Sequence, residues 1–319
     1  MVSLNLDTLL HPLVCGSALI FTLYASPVWL ATRIALLTYL VGGIYLLNKK
    51  YKSRGIWEGI GEKDIAVITG GSNGLGLELV KLLTQRHVRC VVVDREDISD
   101  KDVSRDVVFH KCDLSDAKLV LNTINQIKSQ MGQPTILINN AAMRHFETLQ
   151  ELTYDQIKTV MTVNTLTPVM FMKELLTSPS RLYTVNISSI LGLASPANLT
   201  LYSATKASLI SLHDSVSHEM SHDNSKRFLL VTPGQLDTRM FKDVKPPKQF
   251  LAPVVNAKTL AEQIVRCIEQ GERGTLHGPM YTYFMPILKL LPYSVCEFCR
   301  WFSEMDNSVS QGKVMGKDE

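Results

Sequence analysis

The sequence predicts an α/β fold in which a mostly parallel sheet is covered by helices on both faces. Three observations predict it: short β-branched runs alternate with helical stretches after residue 60, a glycine-rich turn follows the first run, and a carboxylate ends the second. Strands that alternate with helices favour a doubly wound parallel sheet. The stretch 62–278 has a normal length for one such domain.

Six strands and four helical stretches are predicted in order. The strands lie near 64–69, 89–94, 107–110, 135–139, 181–188 and 227–231. The helices lie near 74–87, 116–131, 153–177 and 201–221. Pro168 falls inside the third helix, where it cannot donate to the carbonyl of Asn164 and its ring opens that turn. The freed carbonyl predicts a water-linked proton route from Lys206 to solvent.

A nucleotide-binding turn follows the first strand, in Thr-Gly-Gly-Ser-Asn-Gly-Leu-Gly at 69–76. Gly70 permits the sharp bend, Gly74 lets backbone approach a pyrophosphate, and Gly76 lets the next helix pack closely on the strand. The N-terminus of that helix presents unpaired N–H groups to phosphates. We therefore expect a dinucleotide cofactor at this turn.

The end of the second strand indicates which dinucleotide is bound. Asp94 stands eighteen residues after Gly76, where a ribose 2′-hydroxyl needs an acceptor. A carboxylate there repels a 2′-phosphate, and Asn73 supplies no cation to attract one. Arg95 is the opposing feature, because a guanidinium accommodates phosphate. The pattern favours NAD, with NADP as the alternative.

Candidate catalytic residues lie in Tyr-Ser-Ala-Thr-Lys at 202–206. Tyr202 and Lys206 share one helix face, so the ammonium is expected to favour the ionised phenol. Interconverting an alcohol and a carbonyl by hydride transfer needs a proton carrier and a donor to the developing oxyanion. Tyr202 is the predicted carrier, its pKa lowered by Lys206 and a nicotinamide. The alternative is an exposed tyrosine one turn before a lysine.

These motifs resemble the short-chain dehydrogenase/reductase family over residues 64 to about 240. The five elements that carry the resemblance occur in order: TGGSNGLG at 69–76, Asp113-Leu114, Asn139-Asn140-Ala141, Ser189 with YSATK, and Pro233-Gly234-Gln235-Leu236-Asp237-Thr238. The resemblance implies a Rossmann-type doubly wound sheet. One departure is Ala142, where the family usually has glycine, and we expect it to be tolerated.

The resemblance also implies a set of site residues. Ser189 rather than Ser188 has the family's spacing to Tyr202, which assigns Ser189 as the donor to the substrate oxygen and leaves Ser188 facing away. The implied catalytic set is Asn164, Ser189, Tyr202 and Lys206. The implied cofactor contacts are Gly70, Ser72, Asn73, Gly74, Leu75, Gly76, Asp94, Asp113 (at the adenine amino group), Asn140, Tyr202, Lys206, and Leu236 and Thr238 (at the nicotinamide).

The N-terminal segment 1–55 is predicted to be a membrane anchor. Between Pro12 and Leu47 the only ionisable residue is Arg33. As one helix this stretch would span about 54 Å, against about 30 Å of bilayer hydrocarbon. One crossing at 13–32 followed by an interfacial segment, or a hairpin broken at Ser26-Pro27, both fit. The basic flank, formed by Lys49, Lys50, Lys52 and Arg54, indicates a catalytic domain in the cytosol.

The C-terminal segment 279–319 is apolar and amphipathic before a polar tail. Val295, Phe298, Cys299 and Phe302 fall on one helical face. That face packs on the domain's own core or on a second subunit, or it lies in the membrane interface beside the cleft. Membrane lipid is therefore an expected partner, and a homodimer stays open.

Composition excludes other classes of protein. A net charge of +3 and a pI of about 8.4 without a basic and aromatic cluster predict no nucleic-acid partner. The six cysteines are scattered and read as reduced thiols. Cys296 and Cys299 lack the second pair that a zinc site needs, so no metal is expected. Arg144 and His145 are interpreted as solvated loop residues.

The predicted function is a membrane-anchored oxidoreductase that prefers NAD and acts on a small lipophilic alcohol or ketone, such as a steroid, retinoid or other lipid. The expected membrane is that of the endoplasmic reticulum or a lipid droplet, with a mitochondrial membrane as the alternative. A catalytically silent membrane scaffold or lipid sensor is the second class, and a 3-ketoacyl reductase is the third. The intact residues 164, 189, 202 and 206 argue against silence.

Overall fold

The computed structural model describes residues 27–98, 100, 103, 107–242, 244, 248–250 and 252–306, except the side chains of 27–29, 31 and 280. The chain divides into two compact units, Met1–Lys52 and Ser53–Glu319. The prediction of a first crossing at 13–32 falls mainly on residues outside this description.

The described part of the first unit is one helix, α1 (Pro27–Lys52). It begins at the proline that the sequence marks as a helix break, and it ends in a basic turn of Lys49, Lys50 and Lys52, which suits the negative end of the helix dipole. Among the described residues, no helix combines the length and the apolar character needed to cross a bilayer. Large apolar side chains of α1 are nevertheless exposed, namely Leu30, Ile34, Leu36, Leu37, Tyr39, Leu40, Val41, Ile44, Tyr45, Leu46 and Leu47.

The second unit is built on a parallel sheet. Its described strands are β1 (Ile65–Thr69), β2 (Arg89–Asp94), β3 (Val107–Lys111), β4 (Ile136–Asn139), β5 (Leu182–Ile187), β6 (Lys226–Pro233) and β7 (Gly274–Gly278). They are ordered β3-β2-β1-β4-β5-β6-β7, and every pair is parallel. The order reverses between β1 and β4, so a crevice for a ligand is expected at the carboxyl ends of these two strands.

Helices cover both faces of the sheet. They are α2 (Gly74–Thr84), α3 (Ala117–Met131), α4 (Tyr154–Met161), α5 (Thr167–Leu176), α6 (Thr200–Glu219), α7 (Ala257–Gln270), α8 (Met285–Leu288) and α9 (Tyr293–Ser303). Alternate side chains of β1 enter two cores: Ala66 and Ile68 pack with α2 and α7. Ile65 and Val67 pack with α3 and α5. The predicted α/β sheet is confirmed.

The third predicted helix is interrupted where the proline lies. A π-helical turn, Thr162–Leu166, separates α4 from α5, and Pro168 lies in the first turn of α5. The opened turn follows from the missing N–H and the bulk of the ring. The kink predicted around Asn164 is therefore confirmed.

Two elements were absent from the sequence prediction. β7 has glycine at both ends and only half-buried side chains between them, so its sequence shows little strand character, and its pairing with β6 defines it. α7 did carry a signal. Asn256 caps it through its side chain and Gly271 ends it with a φ of 60°, which are ordinary helix start and stop residues.

A strap precedes β1 and packs on the amino ends of the strands. The indole of Trp57 packs at a tilt against the ring of Tyr183, with ring centroids 5.5 Å apart, and its Nε1 donates to the carbonyl of Ile268 at 2.9 Å. The cations of Arg181 and Arg227 lie 5.1 and 4.7 Å from the indole centroid. The catalytic unit thus includes residues 53–61, which the sequence placed before a domain starting at 62.

The C-terminal segment follows β7 as a short 3₁₀ turn, α8 and α9. No residue of α8 or α9 is buried. Packing of the α9 apolar face on the domain's own core is therefore wrong as an explanation. Exposed side chains of this segment are Tyr283, Phe284, Ile287, Leu290, Tyr293, Val295, Phe298, Trp301 and Phe302, which we call the aromatic patch.

Candidate active site

A cleft of about 940 Å³ lies at the carboxyl ends of the strands. Its lining includes Asp94 and Asp113, the glycine turn, Tyr202 and Lys206, and Met285 and Met305 of the C-terminal segment. This volume is at the upper limit of about 300–1,000 Å³ for small-molecule sites. The crevice expected from the strand order is therefore present and brings the separate motifs together.

The glycine turn has the geometry that a phosphate-binding turn requires. Gly70 has a φ of +65° and Gly74 a φ of +53°, which disfavour other residues. A Cβ at Gly76 would lie 2.1 Å from the carbonyl oxygen of Gly70, so only glycine lets α2 start so close to β1. The N-terminus of α2 thus opens towards the cleft, and these residues fit a bound pyrophosphate.

Ser72, Leu75 and Gly76 support this turn from behind. The hydroxyl of Ser72 is buried and donates to the carbonyl of Glu96 at 2.6 Å, and Ser72 and Gly76 do not line the cleft. Leu75 is part of the α2 core as well as the cleft wall. The amide of Asn140 donates to Thr69 and Gly70 carbonyl oxygens at 3.1 and 2.8 Å. It therefore stiffens the turn while lining the cleft.

Two carboxylates surround the end of β2. Asp94 accepts from the backbone N–H of Ser72 at 3.0 Å and of Arg95 at 2.7 Å. Glu96, which the sequence reading overlooked, accepts from the side chain of Asn73 at 3.2 Å and lies 3.7 Å from the guanidinium of Arg95. All of them line the cleft apart from Ser72. The guanidinium of Arg95 is thus paired with one neighbouring acid, Glu96.

The remaining predicted cofactor contacts also reach the cleft. Asp113 is exposed, and hydrogen bonds from the backbone and side chain of Ser115 hold the pKa of its carboxyl below the ordinary value. Leu236 is fixed by a bridge to Val255. Thr238 lies against the glycine turn, since a Cβ at Gly74 would be 3.1 Å from its methyl carbon. Leu236 and Thr238 both line the cleft.

Tyr202 and Lys206 lie one turn apart in α6 and are both buried, which excludes the alternative of an exposed tyrosine. The ring of Tyr202 meets Phe241 edge-on, with centroids 5.8 Å apart. Nζ of Lys206 donates to the carbonyl of Ile187 at 2.8 Å and lies 5.6 Å from the tyrosine ring centroid. The lysine is therefore held by the end of β5, beneath the tyrosine.

Burial shifts the pKa values of both side chains. It raises the pKa of Tyr202 to about 12, against the lowering effects of Ser189 and of the charge of Arg144. Burial lowers the pKa of Lys206 to about 8. The predicted lowering of the Tyr202 pKa belongs to the site with a bound nicotinamide, whose charge adds to that of Lys206, and it stays a prediction.

Ser189 and Ser188 have separate roles at the end of β5. Ser189 caps a 3₁₀ turn by accepting from the N–H of Leu191 at 3.1 Å, and its hydroxyl lowers the pKa of Tyr202. Ser188 instead donates to the carbonyl of Lys206 at 2.8 Å. A Cβ at Gly192 would lie 2.8 Å from the carbonyl carbon of Lys206, so this glycine lets α6 approach. The hydroxyl available beside the phenol is that of Ser189.

Asn164 lies behind the cleft rather than on its wall. It is buried, and its amide oxygen accepts from the N–H of Met143 at 2.8 Å. Its Nδ2 donates to the carbonyl of Met143 at 2.8 Å and to the hydroxyl of Thr205 at 3.0 Å. It therefore ties the loop after β4 to α6, a contact between distant parts of the chain that the sequence did not reveal. The water-linked proton route from Lys206 to solvent, predicted through the backbone carbonyl of Asn164, stays a prediction.

Arg144 is the residue that the sequence analysis misjudged. It lines the cleft, and its guanidinium carbon lies 3.5 Å from the ring centroid of Phe146 and 4.9 Å from that of Phe241. It also acts on the pKa of Tyr202. Its interpretation as a solvated loop residue is wrong. Among the described residues, no group of histidine, cysteine, aspartate and glutamate side chains could hold a metal ion.

A parallel sheet with a glycine turn, and a buried serine, tyrosine and lysine beside it, defines a dinucleotide-dependent oxidoreductase. The family model for short chain dehydrogenases matches residues 64–249. An uncharacterized oxidoreductase of Saccharomyces cerevisiae, TDA5, is 36% identical over 318 residues, covering 94% of this chain and 95% of that protein. The chain belongs to the short-chain dehydrogenase family, whose enzymes use NAD or NADP.

Two solved structures share the fold. A short-chain dehydrogenase from Burkholderia cenocepacia in complex with NADP has a TM-score of 0.59 at 21% identity, covering 67% of this chain and 95% of that one. A 4-hydroxyisoleucine dehydrogenase complexed with NADH has a TM-score of 0.59 at 24% identity, covering 68% of this chain and 97% of that one. The two neighbours were solved with different dinucleotides, so the preference of this chain has to come from its own residues.

Proposed function

We propose that this enzyme is a membrane-associated oxidoreductase that prefers NAD and interconverts a lipophilic alcohol and its carbonyl compound. The observation that carries the proposal is the large cleft at Tyr202, whose lining includes Met285 and Met305 of the segment that bears the aromatic patch. Such apolar side chains suit an apolar substrate.

The residues divide the chemistry among them. The hydroxyl of Ser189 would hold the substrate oxygen, and the phenol oxygen of Tyr202 would exchange the hydroxyl proton with it. Lys206, whose pKa of about 8 lies near neutrality, would supply positive charge below the phenol. When bound, the nicotinamide accepts or returns the hydride and, oxidised, adds a further positive charge.

The carboxylates at the end of β2 support the preference for NAD. Asp94 and Glu96 both line the cleft, and Glu96 forms an ion pair with Arg95. A 2′-phosphate placed there would meet the carboxylates of Asp94 and Glu96 and one cation, Arg95, which already pairs with Glu96. A fluorescence titration of the purified protein with both dinucleotides tests this, and tighter binding of NADP would contradict it.

Association with a membrane is proposed for two regions. The exposed apolar side chains of α1, followed by its basic last turn, support an anchor in residues 1–55 with the catalytic unit in the cytosol. Retention of the full-length protein in the pellet after carbonate extraction is the expected result. Recovery in the soluble fraction would contradict the anchor, and protection of the catalytic unit from protease in sealed vesicles would contradict its orientation.

The aromatic patch is proposed to meet the lipid surface beside the cleft. Tryptophan and tyrosine favour the interface between lipid and water. Phe298→Glu and Phe302→Glu should raise KM for a long-chain alcohol in vesicles and leave KM for a short soluble alcohol unchanged. Ser294→Glu is the matched control, because it adds the same charge at an exposed position of α9 without removing an apolar side chain. Equal losses on both substrates would refute the lipid contact.

A further inference from the structure

A cation joins two loops at the wall of the cleft. Arg144 comes from the loop after β4 and stacks between Phe146 and Phe241. Its Nε and one Nη both donate to the carbonyl of Met240. That carbonyl and Phe241 belong to the 3₁₀ turn Arg239–Phe241, which follows β6. A single side chain thus fixes this turn by hydrogen bonds and by stacking.

The turn that Arg144 holds covers the catalytic phenol. Phe241 contacts the Tyr202 ring edge-on, at 5.8 Å between centroids and an interplanar angle of 75°. Met240, Phe241 and Phe146 all pack on the small apolar cluster that contains Tyr202. Only 5% of Tyr202 is exposed, so the position of this turn decides how much water reaches the phenol.

The charge of Arg144 also bears on the phenol. A guanidinium stays protonated at any pH of interest, and charges interact more strongly in a cleft of low dielectric than in water. Its charge favours the phenolate, against the effect of burial on the pKa of Tyr202. Two further cations among the described residues line the same cleft, Lys206, held by the carbonyl of Ile187, and Arg239 of the turn.

We propose that Arg144 is a positioning residue for Tyr202: it clasps the 239–241 turn over the phenol, and its fixed charge favours the phenolate that accepts the hydroxyl proton of an alcohol. The proposal rests on the proposed function only in assigning that proton to Tyr202. Two variants separate its parts. Arg144→Met keeps the length of the side chain and removes the charge and the donors, whereas Arg144→Lys keeps the charge and loses the planar fork.

The clasp is tested without any substrate. Trypsin cleaves after Arg239 and Lys242, which flank the held carbonyl and ring. Both variants should be cut there several-fold faster than the wild type, because neither retains the paired donors that close the turn. Arg266→Met is the control, since Arg266 is exposed on α7 and lies outside the cleft. An unchanged cleavage rate in both Arg144 variants would overturn the clasp.

The charge is tested by the pH dependence of kcat/KM for oxidation of any alcohol that the enzyme turns over. Oxidation needs the phenolate, so removing a nearby cation should move the acid limb of the profile to higher pH. We expect a shift of about one pH unit in Arg144→Met and a profile like that of the wild type in Arg144→Lys. A merely structural role would leave the limb in place in both variants.

The outcomes distinguish this inference from the proposed function. A shifted limb in Arg144→Met together with faster cleavage in both variants supports the proposal. A limb that stays in place, or moves equally in the methionine and lysine variants, overturns the electrostatic part. Full activity of a Tyr202→Phe protein would contradict the proposed function, while the trypsin result would still decide whether the turn is clasped.

Discussion

The amino ends of the parallel strands form one edge of the sheet, the amino edge, and their carboxyl ends form the other, the carboxyl edge. Both edges bury charged side chains, but they hold these charges differently. At the amino edge, Arg227 is fully buried and donates to the carbonyls of Arg54, Ile56 and Gly271. Burial lowers its pKa only to about 10, so it stays charged near neutrality. At the carboxyl edge, burial brings the pKa of Lys206 to about 8, close to the working range of an enzyme.

This difference assigns stability to one edge and chemistry to the other. Asp64 at the amino edge is 2% exposed and accepts from Arg181 at 2.5 and 2.7 Å, from Thr135 and from the N–H of Gly61. Such a carboxylate has all its partners within the fold. Tyr202 instead has one hydroxyl neighbour and an adjoining cleft, so its protonation can be coupled to a substrate.

The largest effect is expected for Tyr202→Phe. The change removes the oxygen that moves the proton and keeps the ring contact with Phe241. Turnover should fall by about 10²–10⁴-fold, the usual contribution of a positioned acid–base group, while NAD binding by fluorescence titration stays close to the wild type. If turnover stayed within a factor of a few of the wild type, a group other than Tyr202 would have to exchange the hydroxyl proton.

Asp64→Asn should have the next largest effect, and on stability alone. It leaves the guanidinium of Arg181 without its carboxylate, and breaking a buried pair costs about 3–5 kcal/mol. We expect a loss at the lower end of that range because Arg181 is partly exposed. Urea unfolding measures it, with Glu262→Gln on the exposed face of α7 as control. If the free energy of unfolding fell by less than about 0.5 kcal/mol, the usual effect of an exposed substitution, Asp64 would not stabilise the amino edge as proposed.

Asp94→Ser should change cofactor choice at the carboxyl edge. It deletes one of the two acids that would face a 2′-phosphate, and the ratio of the Kd values for NADP and NAD should fall by about tenfold, or about 1.4 kcal/mol. Asp97→Ser removes the same charge from a nearby exposed residue outside the cleft and serves as control. An equal change of the ratio in both variants would mean that overall charge, not the position of Asp94, sets the preference.

A pH dependence of stability is also expected from Lys206. Its pKa falls from 10.5 in the unfolded chain to about 8 in the fold, so the unfolded state binds more protons between these values. The free energy of unfolding attributable to Lys206 should therefore rise as the pH rises through that window. Urea unfolding of the wild type and Lys206→Met, compared below and above about pH 8, measures it. A difference between the two proteins that is independent of pH would contradict the burial of an ammonium.

The strands, the glycine turn and the catalytic helix could be predicted from sequence because short-range patterns specify them. Gly70, Gly74 and Gly76 are required by local backbone geometry. The kink before Pro168 follows from the chemistry of one residue. These features do not depend on knowing which distant residues come into contact.

The features that the sequence did not reveal depend on contacts between distant residues. Trp57 acquires its role only when β5, β6 and α7 bring Tyr183, Arg227 and Ile268 beside it. Arg144 likewise needs the turn of residues 239–241, almost one hundred residues later. Helical spacing gives the separation of Tyr202 and Lys206 but not the direction in which the ammonium points, which is towards the carbonyl of Ile187.

We expect the carboxyl edge of the sheet to carry the reaction and the amino edge to carry stability. The most direct test measures both the rate of NAD reduction with an alcohol substrate and the free energy of unfolding for Tyr202→Phe and Asp64→Asn, side by side with the wild type. We expect a crossed result, in which the first variant loses turnover and keeps its stability while the second loses stability and keeps its turnover below its unfolding transition. Parallel losses of both properties in both variants would contradict it.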